Sequence, residues 1–512
     1  MLGEGVHGRE PLKGAVLVCG TTSDAGKSRL VAGICRALAR RGVKVAPFKA
    51  QNMSLNSTVT ASGHEIARSQ AAQAAAALVE PDVLMGPVLL KPCGEATSQL
   101  VVMGKPVGEV HPGQGAWGQA QLLEQVVLPA LAELRSRYDV VVAEGAGGAG
   151  EVNLLDRDIA NLPLARRACL PAVLVADIER GGAFASVYGT VALLPEELRV
   201  NLRGFVLNKF RGDKDLLRKG IEVLEGRLQL SCLGVVPHLG RLAVDEEDSL
   251  ALAKASWRFE SSCQQLEVAV VALPHISNFT DFSPLEMEEG VSLRYVVDAR
   301  ELGCPDLVVL PGSKATVADL RWLEASGLAE AVLGAHARGA ALLGICAGYQ
   351  VLGEWVEDNV ESRAGLVRGL GALAVGCRFE AEKTTRWRRG KALGGEDVTG
   401  FEVHHGRVVP IGALRHWFLL DGPDGPEPEG VAGPVEGVWA TSLHGVFEND
   451  ELRTSFLSEV ARRRGKRFKP AGLAFAKERE AVFERLADAV EEHLDWRALC
   501  SVIASGAPGT RP

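Results

Sequence analysis

Between an apolar run, Ala15–Cys19, and a stretch with helical spacing lies Gly20-Thr21-Thr-Ser-Asp-Ala-Gly26-Lys27-Ser28. A glycine-containing turn from strand to helix aims several backbone N–H groups, and the positive end of the helix, at phosphate oxygens. In that role Lys27 would reach the β- and γ-phosphates of ATP, and the Ser28 hydroxyl would bind Mg²⁺. Five residues, not the usual four, separate Gly20 from Gly26. The helix that follows, Lys27 to Arg41, puts Leu30, Val31, Ile34 and Leu38 on one face, and Gly42 is placed to cap its end. A strand–loop–helix unit of this kind belongs to a parallel sheet wrapped by helices.

The rest of the first half agrees. Short β-rich runs at Val43–Phe48, Val140–Ala143, Ala172–Ala176, Gly204–Leu207 and Gly234–Val236 alternate with helical stretches, among them the alanine-rich Ala71–Leu78. A chain of 512 residues is long for one core, so two or three domains are expected. A polar stretch around Ala255–Gln265 reads as a linker. A second alternating series follows at Leu266–Leu273, Leu307–Leu310 and Ala341–Ile345, with Asp421–Gly433 as a surface loop. From about Arg462 the pattern is helical and charged, notably Glu478–Leu494, and Ser505–Pro512 reads as a tail. The boundaries are therefore set at 1–255, 266–460 and 461–512.

Several function classes are disfavoured. A net charge of −8 argues against a general nucleic-acid binder, and the basic cluster Arg386–Lys391 reads as a solvated loop. The ten cysteines form no Cys-x-x-Cys pair, which suits a reducing cytosol and neither a zinc cluster nor a disulfide framework. With neither a signal segment nor an apolar run near the ~20 residues that span a bilayer, a cytoplasmic protein is expected.

Chemistry is concentrated where strands end. Glu144, after Val140–Ala143, is a natural Mg²⁺ ligand facing a phosphate. Asn208 closes another strand, where its amide could read a purine edge. Lys49 ends a third, either solvated or set against a phosphate or substrate carboxylate, and the polar run Gln51, Asn52, Ser54 and Asn56 makes this a binding loop. In the second half Ala341–Ile345 runs into Gly344-Ile-Cys346-Ala-Gly348, the thiol analogue of a nucleophile elbow. A helix Ala347–Trp355 would favour its thiolate, and a nearby base is required. Of the eleven histidines, His444 in Leu443-His-Gly445 competes with His404 and His405 for that role.

These motifs carry a resemblance. Gly-Thr-x-Ser-Asp-x-Gly-Lys-Ser is similar to the dethiobiotin synthetase-type loop. Lys49-Ala-Gln-Asn-Met-Ser-Leu-Asn-Ser57 resembles the cobyric acid synthases, which amidate corrin side-chain carboxylates in the cobalamin pathway. Val88-Leu-Leu-Lys-Pro92 with Ser98-Gln99, Glu151-Val-Asn-Leu154, Asp158-Ile-Ala-Asn161 and Leu207-Asn-Lys-Phe-Arg211 fit that family over most of the chain. Gly86 and Gly148-Ala149 depart from its usual residues. The resemblance implies two doubly wound α/β domains, a P-loop NTPase-like one and a class I glutamine amidotransferase-like one, with a helical C-terminal extension. It also selects His444 as the base. Enzymes with a full triad carry Glu two residues after that histidine, where this chain has Val446; the cobyric acid and cobyrinic acid diamide synthases lack it too, which leaves open what orients His444. Pro311-Gly312-Ser313 resembles the family's oxyanion loop, with the N–H groups of Gly312 and Ala347 as donors.

The implied reaction is ATP- and glutamine-dependent amidation of a corrin, with small-molecule partners only. The alternatives are the a,c-diamide synthase, disfavoured by the Lys49–Ser57 segment, a CTP synthase-like ligase, and a partition-type ATPase with a vestigial glutaminase fold. The intact Cys346 and His444 speak against the last of these.

Overall fold

The computed structural model describes residues 12–93, 97–110, 118–240, 265–433 and 436–506. Its first sheet is parallel throughout. The strands are β1 (Gly14–Gly20), β2 (Val45–Lys49), β3 (Val140–Glu144), β4 (Ala172–Asp177), β5 (Leu202–Phe210) and β6 (Ser231–Pro237), in the order β6-β5-β4-β1-β3-β2. β1, β2 and β3 are buried along their whole length, as continuous apolar runs covered by helices on both faces must be. Helix α1 (Lys27–Arg40) lies on one face through Leu30, Val31, Ile34 and Leu38. It ends where Gly42 takes φ +76, a left-handed stop open to glycine. Helix α2 (Arg68–Ala76) covers the alanine-rich segment as far as Ala76 and stops before Leu78, which takes φ +59.

The second sheet contains β7 (Leu266–Val271), β8 (Val291–Val296), β9 (Leu307–Leu310), β10 (Ala341–Ile345), β13 (Val431–Gly433) and β14 (Val438–Thr441), ordered β8-β7-β9-β10-β14-β13. Only the edge pair β13–β14 is antiparallel. A long hairpin, β11 (Val375–Ala392) and β12 (Asp397–Pro410), leaves this sheet and reaches the first half. The helix after Cys346 is short: α3 (Ala347–Leu352) stops before Gly353, whose α-carbon packs so close to Val375 O that a Cβ would lie 2.6 Å from it, and Trp355 opens a strand instead of closing a helix.

The basic cluster is not a solvated loop. It lies within β11, where Arg388 is buried and paired with Glu402 at 3.2 Å and Glu427 at 2.8 Å. Nor is Asp421–Gly433 all loop, since it contains the strand Glu427–Glu429 and the edge strand β13. The linker reading lies outside the described residues except at Gln265, and the tail beyond Gly506 does so as well.

The C-terminal helices α4 (Asp450–Arg463), α5 (Phe475–His493) and α6 (Trp496–Ser505) do not stand apart as an extension. α5 packs along α1, where Gly33 admits the Leu486 carbonyl at a point a Cβ would meet at 2.7 Å. A row of pairs accompanies it: Arg36 with Glu480 at 2.7 Å and Glu484 at 3.2 Å, and Arg40 with Asp488 at 2.7 Å. α6 covers β1 through Leu499, Val502 and Ile503. The end of the chain thus returns to complete the first core, a long-range closure that local periodicity does not encode.

Candidate active site

Polar side chains project from the carboxyl edges of both sheets, where parallel α/β folds place ligands. At the first edge the loop after β1 is braced by its neighbours: Thr21 N–H donates to Val175 O (2.9 Å) and Ala149 N–H to Gly20 O (2.8 Å). Gly26 opens α1 in a left-handed conformation, φ +89. Lys27 is folded back, its ammonium donating to the carbonyls of Thr22 (3.0 Å), Ser23 (2.9 Å) and Gly147 (2.9 Å). The buried Glu144 carboxylate accepts from the Ser28 hydroxyl (2.8 Å), from the Lys49 ammonium (3.0 Å) and from the Gln73 amide.

Asn208 donates to Ala25 O at 2.9 Å, so this amide hydrogen steadies the loop from behind instead of facing outward to a base. The Lys49–Ser57 segment divides its duties. Gln51 Oε1 is buried and finds no hydrogen-bond partner among the described residues, an acceptor open to a ligand's donor. Asn52 donates to Ser69 Oγ (3.0 Å) and Gln70 Oε1 (2.7 Å), bracing the start of α2.

Ser28 and Glu144 are hard oxygen donors of the type Mg²⁺ takes alongside phosphate oxygens and water. Among the described residues no group of three or more His, Cys, Asp or Glu side chains could hold a metal. The donor set therefore fits an ion carried in with a nucleotide, and does not fit an all-protein cage.

At the second edge, adjacent strands β9, β10 and β14 deliver Gly312, Cys346 and His444. Cys346 sits at φ +53, ψ −107, a backbone strain of order 1–3 kcal/mol for a residue with a Cβ. Neighbours hold it there: Cys346 N–H donates to Thr441 O (2.8 Å) and Gly348 N–H to Pro311 O (3.1 Å). Gly348 is obligatory, because a Cβ would lie 1.9 Å from Leu310 O.

His444 is buried against Phe401, with ring centroids 5.4 Å apart, and the Cys346 sulfur acts on the ring through its charge. Its Nδ1 is 2.7 Å from Asp281 Oδ2, while Asp281 Oδ1 accepts from Gly445 N–H at 2.8 Å. Burial alone would lower the imidazole pKa, but the charges of Asp281 and Cys346 and the hydrogen bond to Asp281 outweigh it and raise it to about 10. A ring with that proton affinity is a strong acceptor for the thiol proton. The acid sequence reasoning missed is Asp281, at the end of Ile276-Ser-Asn-Phe-Thr-Asp281; an acid between Phe279 and Phe282, both buried, was the available signal.

His404 and His405 line the same cavity as Cys346 but turn elsewhere: Nδ1 of His404 pairs with Gly406 O (2.7 Å) and Nδ1 of His405 with Glu380 O (2.9 Å). Gly312 lies against the base, its Cβ position 3.0 Å from His444 Cε1. Ala347 N–H occupies the first helical position, where no intrahelical carbonyl is available to it. The cavity also admits Lys91 from the first half. Burial lowers the pKa of that lysine to about 8 against the opposing pull of Glu65, 2.5 Å away.

A phosphate loop on one parallel sheet and a Cys–His–acid set on another define a glutamine-hydrolysing ligase with a nucleotide-binding half. Residues 16–250 match the CobQ/CobB/MinD/ParA nucleotide-binding domain, and residues 267–452 match the CobB/CobQ-like glutamine amidotransferase domain. The chain is 49% identical over 508 residues to the cobyric acid synthase of Streptomyces avermitilis, covering 98% of each chain. The Streptomyces coelicolor cobyric acid synthase matches with the same identity and coverage. Among solved structures, a glutamine amidotransferase aligns with 38% of this chain and 97% of its own at 18% identity, with a TM-score of 0.31, too slight a likeness to carry an argument. The chain belongs to the cobyric acid synthase family. No helix among the described residues is long and apolar enough to cross a membrane.

Proposed function

We propose that this chain uses MgATP and glutamine to amidate the b, d, e and g side-chain carboxylates of adenosylcobyrinic acid a,c-diamide, giving adenosylcobyric acid. The observation that carries the reading is the cavity at Cys346, which is lined from the first half by Lys91 and so borders both units. The two α/β units then divide the work, with residues 1–255 and the returning helices of 461–512 forming the ligase part and 266–460 the glutaminase.

His444 has already taken the Cys346 proton when the sulfur attacks Cδ of glutamine, and Gly312 and Ala347 N–H groups receive the oxyanion. His444 returns the proton to the leaving nitrogen, ammonia departs, and water converts the thioester to glutamate and free thiol. In the ligase part a corrin carboxylate attacks the γ-phosphorus of ATP, giving an acyl phosphate and ADP. Ammonia displaces phosphate to form the amide. Gly20, Thr21 and Gly26 shape the loop on the phosphates, Lys27 leaves its carbonyls to neutralise the transferring group, and Asn208 steadies that loop. Ser28 and Glu144 would hold Mg²⁺, which supplies charge neutralisation at the phosphates. Lys49, Gln51 and Asn52 line or brace the corrin side.

Mass spectrometry of the product from this corrin, ATP and glutamine tests the reading. One unit-mass decrease is expected per carboxylate converted, up to four. A product amidated only at a and c when cobyrinic acid is offered would assign the chain to the diamide synthases.

A further inference from the structure

Two stretches of chain, tied together and across to the second half by hydrogen bonds, run from the first site to the second. They start at Glu144, whose partners Lys49 and Gln73 lie on different elements. Lys49 ends β2 and leads through the 51–56 segment to Asn56. Gln73 lies on α2, which begins at Arg68. The two routes meet, because Arg68 N–H donates to Asn56 O at 3.1 Å.

From this junction two clasps cross to the glutaminase half. In the first, exchange is reciprocal: Phe279 N–H donates to Asn56 Oδ1 (3.2 Å) and Ser57 N–H to Asn278 Oδ1 (2.8 Å). In the second, the Arg68 guanidinium pairs with Glu448. Both clasps end beside the base. Asp281 N–H donates to Asn278 O (2.9 Å), and Asp281 holds His444; Glu448 N–H donates to Gly445 O (3.0 Å), and Gly445 N–H donates to Asp281. Asn56 and Asn278 are 1% and 2% exposed, so water cannot readily substitute for either bond.

We infer that Asn56 and Arg68 are positioning residues that couple the nucleotide site to glutamine hydrolysis, by gripping Asn278–Phe279 and Glu448 on either side of Asp281 and His444. The inference rests on the proposed ligase reading for the identity of the nucleotide. Its physical basis is competition for Glu144. Ser28, Lys49 and Gln73 take three of the roughly four acceptor positions of this carboxylate, so a cation recruited to it repels the Lys49 ammonium and competes with the Gln73 amide, the starting points of the two routes. The resulting shift reaches Asp281 from one side and Gly445 from the other, so the Asp281–His444 geometry differs between the filled and unfilled nucleotide site. Coupling of this kind is reciprocal and typically changes affinity or rate about 5- to 150-fold.

The test uses the full chain and two measurements, glutamate release from L-glutamine and Cys346 alkylation without glutamine, each with and without MgATP plus the corrin. The alkylation is by iodoacetamide, and its rate is read on the Cys346 peptide. In the wild type, nucleotide plus corrin should change both by about fivefold or more. In Asn278→Ala and Glu448→Gln, which cut the two clasps outside the ligase half, the change should fall below about twofold, while amidation supported by ammonium salt persists and shows that the variants fold. Asn278→Asp keeps the acceptor oxygen and a residue type that tolerates φ +52, and should retain the coupling. Unchanged stimulation in both clasp variants, or none in the wild type, overturns the inference. Absence of corrin amide from ammonium in the wild type would instead overturn the ligase reading.

Discussion

The two candidate sites occupy equivalent places, the carboxyl edges of parallel sheets, yet they are built in opposite ways. The phosphate loop is partly open to water, and its charged groups are engaged by local partners: Lys27 by three carbonyls, Glu144 by three donors. A nucleotide has to replace those bonds with its own. The glutamine site has a buried, already arranged proton-transfer pair, with Asp281 and His444 3% and 1% exposed and 2.7 Å apart. A site that binds a multiply charged, hydrated ligand can afford rearrangement on binding, whereas one that must move a proton between two side chains gains from being preset.

The sharpest way to break the comparison is to disable one site and leave the other. Cys346→Ser should reduce glutamine-dependent synthesis on the order of 10⁴-fold or more, with ammonium-dependent amidation retained. Loss of both activities in a folded protein would mean that the sites are not separable. Asp281→Asn should lower glutamine hydrolysis on the order of 10³-fold, because the ring loses the partner that sets its tautomer and orientation. If His404→Ala abolishes hydrolysis and Asp281→Asn does not, the preset triad is wrongly drawn. Lys27→Ala should cost about 10²–10³-fold with either nitrogen source, through lost charge stabilisation at the phosphoryl group. A deficit confined to glutamine-dependent turnover would remove Lys27 from that role.

A smaller effect concerns pH and stability. His444 has its pKa raised to about 10 in the folded chain against an ordinary histidine value of 6.5. The native state therefore binds the extra proton, and the stabilisation is complete below the unfolded value and lost as pH rises through the folded one. The melting temperature of the wild type should exceed that of Asp281→Asn most at pH 6 and progressively less toward pH 10. A gap independent of pH would show that Asp281 does not charge the ring.

The linear chain determined a good deal of this. Every strand of the first sheet and the strands that lead to Gly312 and Cys346 were legible as apolar runs, because strands buried in a parallel sheet need little else. The phosphate loop was equally legible, since contiguous backbone builds it. What only the tertiary structure decided lies between distant segments. Asp281 sits far from His444 in the chain and faces it because β7 and β14 belong to one sheet, so no spacing near either residue announces the pair. Arg388 reads as a surface charge until Glu402 and Glu427 are brought beside it. The C-terminal helices look like an appendage until Gly33 lets the Leu486 carbonyl approach α1. Periodicity reports which face of an element is buried, and it is silent on what that face is buried against, which is set by the packing of the whole chain.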